Sequence, residues 1–395
     1  MSTTGTTPAA GRVRGRCPGV LDPMETGDGW LLRVRVPGGL LTTAAMRTVA
    51  ATARRFGSGQ VDLTSRANLQ LRGVAPDAVD GAAAALVDAG LALSDARLDA
   101  QRAIVASPLA GHDPAALLDT APVVARIVAR IAARIAAPLA AEPCGPLPPK
   151  FGVVVDDGGS WYLGAVDADV GLRAVRDGWA VRLRGADEPL GTARSAPAVV
   201  ARATHLCGRY GQRMDDVAAS LGADRIAREL GVHVGPVPRR AVAVRPVGAD
   251  RPLGRRPHRD DRRCNVIAAP FLGRVDAALL GAVAALADRE RASVRLTTDH
   301  SLAFCGVAAP RAGTLLAELA ELGLVVAAGD ARSAISACVG TAGCAAAHGD
   351  TAAAARALVA AWSPPARLHL SGCAKGCGAP AHVHHLVADT TGAFR

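Results

Sequence analysis

The sequence feature that most constrains the fold is an internal repeat. Residues 61–74 (V-D-L-T-S-R-A-N-L-Q-L-R-G-V) align without gaps with residues 294–307 (V-R-L-T-T-D-H-S-L-A-F-C-G-V), an offset of 233 positions (294 minus 61). Leucine, threonine, leucine, glycine and valine coincide, and a turn followed by a predicted helix precedes each copy. The chain is therefore expected to be internally duplicated, with a ligand cleft between its pseudo-twofold halves.

Hydrophobic periodicity and turn residues predict the elements of the chain. The first copy is expected to contain a strand, a turn, a helix capped by Thr42 or Thr43, two strands and a helix: 30–36, 37–39, 43–56, 60–64, 68–73 and 76–91. The second copy is expected to begin with a strand, a turn and a helix: 265–269, 270–273 and 275–289. Three further strands are predicted between the copies: 152–156, 162–166 and 180–183.

These elements predict a mixed α+β fold class and five segments. The first half-unit is expected at 17–75, and an α/β segment follows it at 76–232. A linker rich in proline and arginine is expected at 233–256, the second half-unit at 257–307 and a cysteine-containing segment at 308–395.

Composition restricts the classes of function. No secretion signal and no uninterrupted apolar run of membrane-spanning length is visible, so a cytoplasmic location, no membrane partner and reduced cysteines are expected. The net charge of +10 favours an anionic partner. Because only 3% of the residues are aromatic, base stacking is poorly supported and nucleic acid is not expected. A small ligand with several carboxylates fits the same charge.

Four of the nine cysteines form two spaced pairs near the C-terminal end. Cys338 and Cys344 make a C-x5-C motif, and Cys373 and Cys377 make a C-x3-C motif. Four thiolates are what a [4Fe–4S] cluster requires, and the intervening small residues let the backbone approach it. A structural zinc site is the alternative, although C-x5-C fits its ligand spacing poorly. The other cysteines are expected to be buried thiols: Cys17, Cys144, Cys207, Cys264 and Cys305.

Six sequence motifs of the chain resemble those of the sulfite and nitrite reductase superfamily. The motifs that carry the resemblance occur in the order found in that superfamily: R-V-R-V-P-G-G at 33–39, T-S-R-A-N-L-Q at 64–70, L-P-P-K-F at 147–151, D-V-G at 169–171, C-x5-C, and S-G-C-x3-C at 371–377. The resemblance implies an internally duplicated reductase-like fold, in which ferredoxin-like half-domains are each followed by a larger α/β domain.

The resemblance also implies roles for basic residues. In those reductases basic side chains bind the carboxylates of sirohaem, and the matching positions here are Arg35, Arg66 and Lys150; Arg72 is a further candidate. Lys375, between two cluster ligands, would favour the reduced cluster. In the reductases the last cysteine, here Cys377, also bridges the cluster to the sirohaem iron.

A subgroup of the superfamily resembles the chain more closely. Residues 17–24 (C-P-G-V-L-D-P-M), 149–159 and 371–377 are similar to the precorrin-3B synthase family. Moreover, sulfite reductases carry a second, substrate-binding lysine where this chain has Gly152. Membership would imply an oxygen-dependent monooxygenase of cobalamin biosynthesis that hydroxylates precorrin-3A at C20 and closes a γ-lactone. A sirohaem-dependent sulfite or nitrite reductase is the alternative, and a zinc- or nucleic-acid-binding protein is a remote one.

The implied cofactors are a [4Fe–4S] cluster and a mononuclear non-haem iron, with sirohaem only under the reductase alternative. The ligands of a mononuclear iron and the catalytic residues are not identifiable, because no group of two histidines and a carboxylate is apparent. Histidines near the cluster motif are expected to be ordinary surface or core residues: His369, His382, His384 and His385. No dinucleotide-binding fingerprint is visible, so electrons are expected from a donor protein or reductase. Substrates would be precorrin-3A and O2.

Overall fold

The computed structural model describes residues 18–136, 145, 147–237, 251–362, 366–380 and 383–395. The first copy and the segment that follows it contain these elements: β1 Met24–Thr26, β2 Gly29–Val34, β3 Leu40–Leu41, α1 Thr43–Phe56, β4 Gln60–Leu63, β5 Leu69–Val74, α2 Val79–Asp88, α3 Ala96–Ala100, β6 Ile104–Ala106, α4 Ala121–Ala136, β7 Val153–Asp156, β8 Val170–Val175, β9 Gly178–Leu183, β10 Gly191–Ala193, α5 Ala196–Tyr210, α6 Met214–Leu221 and α7 Ala223–Leu230.

The second copy and the C-terminal segment continue the order: β11 Gly254–Arg256, β12 Arg263–Ala268, β13 Arg274–Asp276, α8 Ala277–Glu290, β14 Ser293–Leu296, β15 Leu302–Ala308, α9 Ala312–Glu321, α10 Ala331–Ala334, β16 Ile335–Ala337, α11 Thr351–Leu358, β17 Leu368–Ser371 and β18 His384–Val387. No helix of the described ranges is both long and apolar enough to cross a membrane.

The two repeat units exchange strands. The first sheet has the order β1-β2-β5-β4-β13, and the second has the order β11-β12-β15-β14-β3. Strand β13 of the second copy thus pairs with β4 of the first, and β3 of the first copy pairs with β14 of the second. This reciprocal exchange confirms the predicted duplication. Because each sheet contains a strand from the other copy, the two halves form one body. The five segment boundaries proposed from the sequence stay predictions.

A glycine turn makes the exchange possible. Gly38 and Gly39 adopt positive φ angles of 68° and 71° between β2 and β3. A β-carbon on Gly39 would lie 2.5 Å from the carbonyl oxygen of Leu296, which no side chain tolerates. The corresponding turn of the second copy uses Leu272 and Gly273, again at positive φ. In both copies the turn leads directly into the strand that pairs with the other sheet.

Helices α1 and α8 pack together beneath the two sheets. Helix α1 begins as expected, because the Thr42 hydroxyl accepts a hydrogen bond from the N–H of Ala45. It buries Met46 and Val49, and α8 buries Leu280 and Val283, in one apolar core shared by both copies. Each such side chain contributes about 1.5–3 kcal/mol on burial, so the shared core strongly stabilises the pseudo-twofold body.

The segment between the copies forms a third sheet with the order β10-β9-β8-β7-β6. The predicted strand at 162–166 is wrong: the N–H of Leu163 donates to the carboxylate of Asp156, and the N–H of Val166 donates to the Leu163 carbonyl in a turn. These backbone groups are therefore unavailable to a sheet. Strand β8, which pairs with β7, was not predicted as a strand; its first residues were assigned only to the D-V-G motif at 169–171.

The C-terminal segment holds a small parallel sheet in the order β16-β17-β18. Cys338 directly follows β16, and Cys373 lies two residues after the end of β17. Because neighbouring parallel strands run in the same direction, the residues that follow them emerge at one edge of the sheet. The fold therefore places both cysteine motifs side by side.

Candidate functional site

The two cysteine loops converge at the edge of the C-terminal sheet. The N–H of Gly372 donates to Sγ of Cys338 at 3.1 Å, which joins the two loops. Burial raises the pKa of the Cys377 thiol, and repulsion from the thiolate forms of Cys338, Cys373 and Cys344 raises it further. The parallel pair β16–β17 and the contact between Gly372 and Cys338 place the two motifs, Cys338/Cys344 and Cys373/Cys377, in neighbouring loops.

The two cysteine loops supply four thiols, the donor set that a [4Fe–4S] cluster takes. Within the described part of the chain, no group of three or more His, Cys, Asp or Glu side chains is arranged to hold one metal ion. In a [4Fe–4S] cluster each thiolate binds its own iron, so the sulfurs need not converge on one point. The N–H to sulfur bond of Gly372 is also the kind of contact that tunes such clusters.

The cysteine loops are packed too tightly for side chains at their glycines. Gly340 has a φ of 64°, and a β-carbon there would lie 2.6 Å from Oγ1 of Thr351. A β-carbon on Gly372 would lie 2.8 Å from the β-carbon of Ala347. These loops therefore have a fixed course, which a preformed ligand cradle requires.

Cysteines outside the motif behave as predicted where the structure describes them. Cys207, Cys264 and Cys305 are buried thiols. Burial raises the pKa of the Cys305 thiol to about 12, which leaves it unreactive at neutral pH. Cys17 and Cys144 lie outside the described residues.

Arg66 and Lys150 are brought together at a partly open surface. Nη1 of Arg66 donates to the Lys150 carbonyl at 3.3 Å, and Nη2 donates to the Asp167 carbonyl at 3.2 Å. The Arg66 side chain is 28% exposed, and Lys150 is exposed and has a φ of 67°. A β-carbon on Gly152 would lie 3.3 Å from Nη1 of Arg66. The guanidinium of Arg66 thus stands beside the position where sulfite reductases carry their second lysine.

The loop that carries Lys150 is fixed by Asp169. One carboxylate oxygen of Asp169 accepts from the N–H of Gly152 at 2.9 Å. The other accepts from Nε of Arg213 at 2.8 Å and from the N–H of Met214 at 3.0 Å. This aspartate belongs to the D-V-G motif, so the motif ties the Lys150 loop to the start of α6.

Arg35 and Arg72 are committed to internal carboxylates. Nη1 of Arg35 lies 2.8 Å from Asp99, and the Arg35 side chain is 7% exposed. Arg72 is similarly buried, and each of its guanidinium nitrogens donates to a protein oxygen, including a two-point contact with Asp28. A role for either residue in binding tetrapyrrole carboxylates stays a prediction.

Two histidines, His369 and His385, make hydrogen bonds beside the cysteine loops. Nε2 of His369 lies 3.2 Å from the Cys377 carbonyl, and Nδ1 lies 3.0 Å from Oγ of Ser336. Burial lowers the pKa of His369 to about 4, so it is neutral at pH 7 and its Nε2–H donates to Cys377. Nε2 of His385 contacts Oγ of Ser371 at 2.8 Å.

The remaining two histidines and Lys375 lie close to or within the C-x3-C motif in the sequence. His384 stacks edge-on against Trp362, whereas His382 lies outside the described residues. Lys375 is exposed, and its charge lowers the pKa of the Cys377 thiol against the larger opposing effects. Its expected influence on the cluster stays a prediction.

Three residues that contact the C-x5-C loop or its partners were not predicted from the sequence: Asp28, Asp62 and Arg274. A signal for one of them existed. Asp62 and Arg72 lie on the same face of the predicted β4–β5 hairpin at diagonal positions, where opposite charges attract.

Comparison with known proteins identifies the relationships of this site and fold. The nitrite/sulfite reductase ferredoxin-like half domain matches residues 22–89 and 256–322. A precorrin-3B synthase of Sinorhizobium sp is 33% identical, over 93% of this chain and 79% of that protein. A ferredoxin–nitrite reductase of Leptolyngbya laminosa is 36% identical, but only over 26% of this chain and 20% of that protein.

The solved structure of the Mycobacterium tuberculosis NirA protein superposes with a TM-score of 0.69. It covers 88% of this chain and 68% of the NirA chain at 23% identity, which is evidence for the fold alone. The two family-model matches fall on the two strand-exchanged units, so the expected duplicated reductase-like fold is confirmed.

Proposed function

The chain belongs to the precorrin-3B synthase family, and from that membership we propose that it is an oxygen-dependent monooxygenase acting on precorrin-3A in cobalamin biosynthesis. The substrate would be hydroxylated at C20, and its acetate side chain would close a γ-lactone. One atom of O2 enters the product and the other leaves as water, so a donor protein must supply two electrons. The similarity to the Sinorhizobium sp precorrin-3B synthase over 93% of the chain carries this proposal, because the match to the Leptolyngbya laminosa nitrite reductase covers only 26% of the chain.

We further propose that the four motif cysteines hold a [4Fe–4S] cluster. When bound, it would supply one-electron transfer between the donor protein and the site of oxygen chemistry. The chain's own contribution is the fixed cradle: the Gly372 N–H bonds to Sγ of Cys338, and His369 holds the Cys377 carbonyl. The names of the nitrite reductase relatives specify ferredoxin, which supports a small iron-sulfur protein as the donor.

Arg66 and Lys150 are proposed to bind carboxylates of the tetrapyrrole. Both carry positive charge to a partly open surface, and a guanidinium binds a carboxylate through two parallel hydrogen bonds. Asp169 would support them by fixing the Gly152 backbone next to Lys150. The net charge of +10 would add a long-range attraction for an anionic substrate.

The test is turnover under 18O2. Anaerobically purified, cluster-loaded protein is mixed with precorrin-3A, ferredoxin and a ferredoxin reductase, and the product mass is measured. The proposal expects one 18O atom in the product. Arg66→Met and Lys150→Met should each raise KM about tenfold with a smaller effect on kcat, since they remove carboxylate contacts. Arg54→Met, which removes an exposed arginine of α1, is the matched control.

Consumption of sulfite or nitrite with no change in precorrin-3A would overturn the proposal in favour of the reductase alternative. Equal KM values for Arg66→Met, Lys150→Met and Arg54→Met would leave the reaction standing but remove the proposed carboxylate site.

A further inference from the structure

A buried network of two arginines and two aspartates lies behind the C-x5-C loop; we call it the Asp28–Arg274 network. Arg72 pairs with Asp28 through two contacts of 2.9 Å. Asp62 lies 3.4 Å from Nη1 of Arg72 and 3.7 Å from Nε of Arg274. All four side chains are at least four-fifths buried.

The network ends on the backbone of the cysteine loop. Nη2 of Arg72 donates to the Gly343 carbonyl at 3.0 Å, directly before Cys344. Nη2 of Arg274 donates to the carbonyl of Cys338 at 2.7 Å. Each arginine thus holds the backbone at one of the two cysteines of the motif.

Close packing at the same place restricts the loop independently of the charges. The N–H of Gly27, in the turn between β1 and β2, also donates to the Gly343 carbonyl at 3.2 Å. A β-carbon on Gly27 would lie 2.7 Å from the N of Ala345, and one on Gly343 would lie 2.9 Å from Oδ2 of Asp28. The loop therefore fits against the β1–β2 turn without spare room.

The network depends on the exchange of strands. Asp28, Asp62 and Arg72 belong to the first copy, whereas Arg274 lies on β13 of the second. Arg274 and Asp62 are direct cross-strand partners in the β13–β4 pair. Only the exchanged arrangement therefore brings both arginines to one cysteine loop.

We propose that the Asp28–Arg274 network positions Cys338 and Cys344 for the cluster, so that Arg72 is a positioning residue rather than a ligand of the substrate's carboxylates. This inference rests on the proposed cluster. Without Arg72, the Gly343 carbonyl loses a charged donor and Asp28 and Asp62 lose their shared cation. The loop near Cys344 then opens more often. Behind a loaded cluster, the negative charges of Asp28 and Asp62 are less well compensated.

The first test uses the cluster-free protein, so that it does not depend on the identity of the cofactor. Alkylation of each cysteine by iodoacetamide is followed by peptide mass spectrometry. Arg72→Met should speed labelling of Cys344 about tenfold, the effect of losing one or two hydrogen bonds. Arg274→Met should act mainly on Cys338. Neither variant should change the labelling of Cys373 and Cys377.

The matched control is Arg173→Met, which breaks another buried pair, 2.7 Å between Arg173 and Asp156, in the third sheet. It should leave all four labelling rates unchanged. Asp28→Asn keeps the shape of a less buried member of the network and should act in the same direction as Arg72→Met, but more weakly. It provides the test if Arg72→Met does not fold, as judged by circular dichroism.

The second test uses the loaded protein. Arg72→Met should lower the midpoint potential of the cluster, because loss of a positive charge disfavours the reduced state, and Arg72→Lys should restore most of the shift. The KM for precorrin-3A should not change. Unchanged labelling and potential together with a raised KM would overturn the inference and return Arg72 to the substrate. If the variants show the expected labelling pattern but the protein binds no cluster, the result would count against the proposed function alone.

Discussion

Replacement of Asp169 by asparagine tests how the Lys150 loop is held. Asp169 is fully buried, and its two oxygens accept three hydrogen bonds, from Gly152, Arg213 and Met214. Asparagine keeps the shape but turns one acceptor into a donor. Its oxygen can serve Arg213 and Met214, but its amide nitrogen then faces the N–H of Gly152.

The cost follows from these contacts. A buried N–H left without an acceptor costs about 1–3 kcal/mol. Loss of the carboxylate charge weakens the bond from Arg213, whose side chain is only 14% exposed, by roughly another 1 kcal/mol. We expect Asp169→Asn to destabilise its surroundings by about 3 kcal/mol. That is a large fraction of the stability of a typical domain.

Hydrogen exchange measured by mass spectrometry locates the effect. Exchange should quicken about a hundredfold in peptides covering 150–156 and 213–221, since each 1.4 kcal/mol is about tenfold. Asp177→Asn makes the same chemical change at an exposed turn residue and should leave exchange unaltered. A change below about threefold, or one spread evenly over the chain, would refute the assignment of Asp169 as the fixed point of this loop.

Three further predictions concern pH and backbone. Burial raises the pKa of Asp157 to about 6, so between about pH 4 and 6 the folded protein holds a proton that the unfolded chain has released. The free energy of unfolding therefore falls as pH rises from about 4 to 6. Asp157→Asn should remove this pH dependence from the midpoints of denaturant unfolding. Burial, with Arg295 and His258 nearby, lowers the pKa of His112 to about 4. The free energy of unfolding therefore rises with pH between about 4 and 6.5. His112→Gln should flatten that pH dependence, and an unchanged dependence would contradict the lowered pKa of His112. Gly340→Ala should lower the yield of iron-sulfur reconstitution because of its positive φ and the nearby Thr351 hydroxyl; Gly281→Ala, whose β-carbon meets open space in α8, should preserve the yield and slightly raise the melting temperature.

Local signals sufficed for much of the fold. Helix α1 was predicted over the residues that it occupies, because its cap and its apolar spacing lie within the helix itself. The two cysteine motifs were recognised from their spacing as candidate cluster ligands, which stays a prediction, and the parallel pair β16–β17 brings the motifs to one end of the sheet. The cap of α1 and the spacing within each cysteine motif are local signals, which can be read from a short stretch of sequence.

Long-range features were not accessible to the same reasoning. Strands β3 and β13 have two and three residues, too short for a periodic pattern, and they form only because a partner sheet presents an open edge. Arg35 is bound by an aspartate 64 positions away, so the sequence showed the charge and not its partner. Arg274 reaches the cysteine loop only through the exchanged strand β13.

The central claim is that a tetrapyrrole is the substrate of this protein and not its prosthetic group. Iron, acid-labile sulfide and extractable sirohaem on anaerobically purified protein test it directly, with an EPR spectrum after reduction. We expect about four irons and four sulfides per chain, the signal of a reduced [4Fe–4S] cluster, and no sirohaem; a mononuclear iron would add one more. Stoichiometric sirohaem would contradict the claim, and zinc in place of iron would contradict the cluster as well.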